Sequence, residues 1–242
     1  MIAEQRPFRL NFWMTVCAVP ALMILLGLGF WQVQRLEWKQ AIIAERAERL
    51  AAPPIDIAAV PAAGWRSLEH RRVKIAGTYL HDREILVLNS VRNGQTGVDL
   101  ITPMALQSGG TVLVNRGWVP RDWLRGELRD DPQMRRPAGT VKRTGILRAG
   151  GKGGNPWIPD NEPARDQWYH VDVAQMAAKA GLADTRPYIV KLAPGDDRPG
   201  YPRGPHADSG IRNKHLEYAI TWFGLAATLV VIYVLYHIRR RD

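Results

Sequence analysis

Two uninterrupted apolar runs, one near each end, limit what this chain can fold into. Residues 13–31 (WMTVCAVPALMILLGLGFW) give 19 positions without a charge, and residues 218–238 (YAITWFGLAATLVVIYVLYHI) give 21 without Asp, Glu, Lys or Arg. A bilayer core of about 30 Å takes roughly 20 apolar residues at 1.5 Å each, so both runs suit a membrane span. Aromatic residues sit near their ends, Trp13 and Trp31 on the first and Tyr218, Trp222, Tyr233 and Tyr236 on the second, as in an interfacial belt.

Short basic flanks set the expected orientation. Arg6 and Arg9 precede the first run and Arg239, Arg240 and Arg241 follow the second, which places both termini in the cytoplasm. The 186 residues between carry 28 basic and 21 acidic side chains, and a loop this long is exported regardless of its charge. The first run is longer than a signal-peptide core and is followed by WQVQRLEWK rather than a small-residue cleavage site, so an uncleaved anchor is expected. The divisions that follow are a cytoplasmic segment 1–12, a span 13–31, a helical stalk 32–52, an exported domain 53–210, a re-entry segment 211–217, a span 218–238 and a cytoplasmic tail 239–242. The compartment expected is a bacterial inner membrane with the central domain in the periplasm.

Composition excludes several alternatives. With 46% hydrophobic and 23% charged residues the chain is not disordered, and the single Cys17 rules out an intrachain disulfide and a multi-thiolate zinc site. The net charge of +10 invites nucleic acid, but the basic residues are scattered and an exported domain meets little of it. Anionic lipid headgroups or anionic cofactor groups are the more available partners.

After residue 31 the helical pattern continues to about Leu50 and stops at Pro53-Pro54. Strand patterns then follow at 70–79, 84–91, 97–106 and 111–119, separated by short turns, which reads as an antiparallel meander. The central two are too apolar to face water on one side, so a closed or covered sheet is expected. Further on, 122–136 is read as holding a short helix, 139–148 as a strand, 168–172 as a short strand, 173–181 as a helix and 186–192 as a last strand. The fold class expected is thus a membrane protein: two terminal transmembrane helices flanking one exported β-rich domain, antiparallel and barrel-like or covered, with minor helices.

The sequence holds no HExxH, CxxC, Walker loop, GxSxG elbow or GxGxxG ahead of a helix, and the glycine-rich stretch 150–154 lacks the following helix that a phosphate loop needs. An enzyme is therefore not indicated. Among the six histidines, His215 stands apart, in NKHLEY at the outer edge of the second run. A helix starting near Asn213 puts His215, Tyr218, Ala219, Trp222, Leu225 and Ala226 on one face. An imidazole at the edge of an apolar slot is what an axial haem ligand requires, with bulky aromatics to flank a macrocycle; an interfacial histidine bonded to headgroups or to the domain is the plainer alternative. On the first run, Trp31, Gln32, Arg35, Trp38 and Lys39 lie just outside the bilayer, where a cation could pair with haem propionates or simply anchor the helix. Met14 and Cys17 are two soft groups without a third, so copper is not expected.

Several strings together resemble the Surfeit locus protein 1 family of cytochrome c oxidase assembly factors: GFWQVQR with Trp38-Lys39, Gly77-Thr78-Tyr79, the segment 97–103, VNRGWVP at 114–120, PDNEP at 159–163 with Trp168-Tyr169, and NKHLEYAITW at 213–222. The family's usual Gly-Tyr reads Gly97-Val98 here. The resemblance implies a role in maturing the haem–copper oxidase, with haem a received from a haem a synthase and passed to the catalytic subunit. It implies His215 as the key residue, which makes it the expected axial ligand to the haem iron, and the residue reading above adds Tyr218, Trp222, Trp31 and Arg35 around the macrocycle. The rival reading is an interaction scaffold that steadies the nascent oxidase subunit without binding haem. The Asn115-Arg116-Gly117-Trp118 string has no assigned role; for Arg116 a buried ion pair is favoured over a partner contact.

Overall fold

The structure is a computed structural model that describes residues 11–121, 134–193, 200–204 and 213–239. It divides into two compact units: residues 1–45 with 210–242, and residues 46–209.

The first unit is built on two long helices. Helix α1 (Phe12–Ala51) is continuous over 40 residues despite Pro20, and α3 (His215–Arg239) covers 25. Both are long and apolar enough to cross a bilayer, and most of their side chains are exposed rather than packed into a core. The more buried positions of α1 recur at Thr15, Ala18, Leu22, Leu25, Gly29, Gln32 and Leu36, a spacing of four and three that turns one stripe toward a partner helix. On α3 the matching stripe is Ala219, Trp222, Ala226, Leu229 and Tyr233. The two helices run antiparallel, since Thr15 Oγ1 lies 2.6 Å from Tyr233 Oη near one end and Gly29 meets the Phe223 ring toward the other.

The second unit is a β-barrel. Its strands are β1 (Ile55–Asp56), β2 (Arg72–Tyr79), β3 (Ile85–Arg92), β4 (Gln95–Leu106), β5 (Thr111–Pro120), β6 (Thr140–Arg148) and β7 (Thr185–Leu192), with one short helix, α2 (Val173–Lys179). The sheet order is β1-β2-β6-β7-β5-β4-β3, and a further pairing of β2 with β4 closes five strands into a ring. Strands β6, β2, β4 and β5 stand side by side, all antiparallel, in the Greek-key order. Closure removes the sheet edges that an open meander would leave unpaired.

Alternation along the strands sorts the core. Val73, Ile75, Met104, Val112, Val114, Leu147, Tyr188 and Val190 point into the barrel and pack with Trp65. The opposite face of β5 puts Leu113 with Trp168, Met176 and Ile189 in a second cluster, beneath α2. With both faces covered, β5 is buried at every position.

The β-rich architecture between two apolar helices is as expected, and three details differ. The sheet is not a simple meander: β2 pairs with β4 and β6 rather than with β3, and β5 pairs with β7 in parallel. No strand forms over 168–172; Trp168 bridges Val87 and Val171 bridges Gly151, each as an isolated bridge. The two-residue β1 was missed, being too short to show a period. The helix expected within 122–136 falls mostly on residues outside those described.

A β-bulge shapes the middle of β5. Leu100 pairs with Gly117 and Ile101 with Asn115, which leaves Arg116 as an extra residue. Gly117 sits at φ +124°, and a Cβ there would collide with the carbonyl oxygen of Arg203. That conformation favours glycine, and Trp118 N continues the contact by donating to Arg203 O at 2.8 Å. Replacing Gly117 by Ala is expected to destabilise the barrel by at least ~2 kcal/mol, read as a lower denaturation midpoint of the detergent-purified chain.

Candidate functional site

In the helix pair, His215 is the first residue of α3 and is half-buried. Its backbone N–H is met by Asn213 Oδ1 at 3.3 Å, a capping contact from the residue two before it. Its Nδ1 lies 2.6 Å from Oε1 of Gln32, a glutamine only 8% exposed on the stripe of α1 that faces α3. With an amide oxygen facing it, Nδ1 carries the proton and donates. The lone pair is then on Nε2, and no partner for that atom is seen among the described residues. A metal-binding imidazole is commonly held in this way, with one nitrogen fixed by an acceptor and the other presented to the metal.

The helix pair is close-packed here because Gly29 lies under Phe223: a Cβ at Gly29 would come 2.7 Å from the ring. Phe30 meets Phe223 edge-on at 5.4 Å. Small residues admit such an approach; Ala219 and Ala226 are each 3% exposed on the same stripe of α3.

The five residues expected to form the site are distributed around this pair. At 3.6 residues per turn, Tyr218 and Trp222 lie roughly 60° and 20° round α3 from His215, and Arg35 and Trp31 roughly 60° and 100° round α1 from Gln32, all in the same rotational sense. For antiparallel helices that sense leads to the same groove. By this spacing Tyr218, Trp31 and Arg35 fall toward one side of the pair, while His215 and Trp222 lie close to the stripe between the helices and Phe30 points away from that side. Tyr218 and Trp31 are about half exposed, at 52% and 49%, and Trp222 is half-buried. Arg35 lies 4.5 Å over the ring of Trp38, which orients its guanidinium. Gln32 and Phe223 were not singled out by sequence reasoning. The one available signal was an amide side chain falling on the same helical stripe as Leu22, Leu25, Gly29 and Leu36.

The barrel unit carries a second cluster, built by the bulge. Arg116 is directed to the Tyr79 end of the barrel core, where its guanidinium is 4% exposed and donates to Glu84 Oε1 at 2.8 Å. Arg136 takes the other oxygen of Glu84 at 3.0 Å, and Thr102 Oγ1 donates to Oε1 at 3.0 Å. His81 Nδ1 lies 2.9 Å from the same carboxylate. Arg116 also donates to the carbonyl oxygen of Arg135 and stacks 5.0 Å over Tyr79. Burial pushes the Arg116 guanidinium below its usual value, and the Glu84 carboxylate pulls it back up. The neighbours complete the string: Asn115 Nδ2 donates to Asp99 Oδ2 at 3.0 Å, its Oδ1 accepts from Gly117 N at 2.9 Å, and Trp118 Nε1 donates to Ser90 O at 3.2 Å. The favoured ion-pair reading of Arg116 describes what is seen.

A family model described as the SURF1 family matches residues 19–227. This chain belongs to that family. It is 34% identical over 229 residues to Surfeit locus protein 1 of Rattus norvegicus, a match covering 88% of this chain and 72% of the rat protein. The human Surfeit locus protein 1 is 34% identical over 217 residues, covering 83% and 70%. A bacterial relative, the SURF1-like protein of Rickettsia bellii, is 31% identical over 221 residues, covering 88% and 86%. In this SURF1-family chain both the helix pair and the barrel with its bulge lie within the matched span, apart from the outer ends of the two helices.

Removing the shared carboxylate with Glu84→Gln leaves two guanidiniums facing each other in a buried setting, and a loss of about 3 kcal/mol is expected. Asp82→Asn, at a 74% exposed partner of Arg83, should cost under about 0.5 kcal/mol. Urea unfolding of the two variants checks the contrast.

Proposed function

We propose that this chain is an assembly factor for cytochrome c oxidase that binds haem a in the membrane through His215 and assists its insertion into the catalytic subunit. Family membership supports the assembly role, and the observation that carries the haem reading is the His215–Gln32 hydrogen bond, which leaves Nε2 as the presented nitrogen. Haem, when held, supplies an iron that takes an imidazole nitrogen as its axial ligand.

The residues present fit such a cargo. Gln32 fixes the tautomer and the ring orientation of His215. Tyr218, Trp222 and Trp31 offer flat apolar surface beside it, and Arg35 offers a cation for propionate. A carrier has to release what it holds. One protein imidazole, steadied by a neutral amide rather than a carboxylate, gives a ligand less basic than a carboxylate-paired histidine, which favours hand-over. The described residues contain no group of three or more His, Cys, Asp or Glu that would hold a metal ion by themselves.

In this reading the protein lies in a bacterial inner membrane with both termini in the cytoplasm and the barrel in the periplasm. It takes haem a from its synthase and acts by binding and transfer rather than by catalysis. The two long apolar helices support the membrane setting.

Purification of the full chain from cells that make haem a tests the proposal. The visible absorbance of the pigment should fall to background in His215→Ala and drop about tenfold in Gln32→Leu, with the barrel's unfolding transition unchanged in both. Equal pigment in wild type and His215→Ala would reject the ligand assignment. A colourless wild-type protein that still captures the oxidase subunit would favour the scaffold role instead.

A further inference from the structure

Arg35 rests on an aromatic shelf. Its guanidinium carbon lies 4.5 Å from the centroid of the Trp38 ring, three residues further along α1. Stacking of this kind uses the flat face of a guanidinium and none of its five N–H donors. Among the described residues Arg35 has no other polar contact, and no carboxylate lies within ion-pair distance of it. The arginines at 83, 148 and 165 of the barrel unit each face a carboxylate. Glu37, two positions on from Arg35, lies roughly 160° away round the helix. Trp31, Arg35 and Trp38 are spaced by four and three, so they share one face of α1. The two tryptophans on it are 49% and 54% exposed. The uncharged run ends at Trp31, so Arg35 and Trp38 stand about 6 and 10 Å beyond it at 1.5 Å per residue.

A planar fork that is held by its face and free at its edges suits a carboxylate, which it can take with two parallel hydrogen bonds. Gln32, the partner of His215, is three residues before Arg35, so the fork sits about 4.5 Å outward of the level at which the imidazole is held. It also falls on the side of the pair where Tyr218 and Trp31 are exposed. A flat ligand taken at Nε2 of His215, with its apolar body beside those rings, would bring a carboxylate on its outward edge to Arg35. We propose that Trp38 is a positioning residue that holds Arg35 as a clamp for the carboxylate edge of the tetrapyrrole. The clamp sets which way round the cargo sits, with its carboxylates beyond the uncharged run and its apolar edge toward the bilayer core. This inference rests on the haem reading of His215 and adds to it a selection for free carboxylates and an orientation. Anchoring of Arg35 and Trp38 at lipid headgroups would give no such selection.

Titration of the detergent-purified full chain with haemin and with haemin dimethyl ester, followed by visible absorbance, tests this. The probes share iron and ring and differ in their two carboxylates. Wild type should bind haemin about tenfold more tightly than the ester. Arg35→Gln should bring that ratio close to one, and Trp38→Leu should lower it about threefold. Trp38→Tyr keeps an aromatic face and should keep most of the preference. Lys142→Gln, an equal change of net charge at an exposed barrel position, should leave the ratio unaltered. A general loosening of the helix pair weakens both probes alike and does not move the ratio. Binding of both probes through His215 without preference, or an unchanged ratio in Trp38→Leu, would overturn the clamp and leave the haem reading standing. So would a Trp38→Tyr variant as impaired as Trp38→Leu. No saturable binding of either probe to wild type, or binding that survives His215→Ala unchanged, would overturn the ligand assignment and the clamp aligned to it.

Discussion

A guanidinium taken out of water has to be matched, and the barrel is arranged around that requirement at Arg116. The charge is reached by a strand buried on both faces, at a position where an apolar side chain would satisfy the core. Matching it draws in Glu84 from just before β3, Thr102 from β4 and a carbonyl from Arg135 in the segment before β6. Each belongs to a different stretch of chain. One buried charge thus ties several separate segments to the end of a single barrel.

The helix pair answers the same problem in an apolar setting. A buried polar side chain on a membrane helix is costly unless it is paired, and in lipid its partner must come from protein. Gln32 and His215 satisfy each other across 183 positions of sequence, at a level where glycine and alanine allow the helices to approach. Packing therefore brings the polar pair within hydrogen-bonding distance, and the polar pair fixes which faces pack. Tyr218 and Trp31 beside it lie exposed, while Trp222 belongs to the stripe that faces α1.

Much of this was legible in the sequence because it is local. The two apolar runs, the long helix ending before Pro53-Pro54 and the strands near 72–79, 85–92 and 111–120 follow from hydrophobic period and turn chemistry over a few residues. What escaped is long-range. Nothing near Arg116 points to Glu84 as its counter-ion, and nothing near His215 points to Gln32. The parallel pairing of β5 with β7 and the isolated bridges of Trp168 and Val171 depend on distant segments, which no strand encodes alone. Helical spacing puts His215, Tyr218 and Trp222 near one face of α3, yet it leaves the glutamine that meets the imidazole grouped with the residues just outside the bilayer.

The closed ring also governs the order of assembly. Its last seams join Val73 to Gly145 and Val114 to Val190, so early strands wait for partners made much later. Chains with such high contact order fold slowly, because loop entropy is spent before distant contacts repay it. The early strands stay unsealed until β7 has been synthesised, and a nascent chain at that stage offers open strand edges to whatever holdase or protease it meets first.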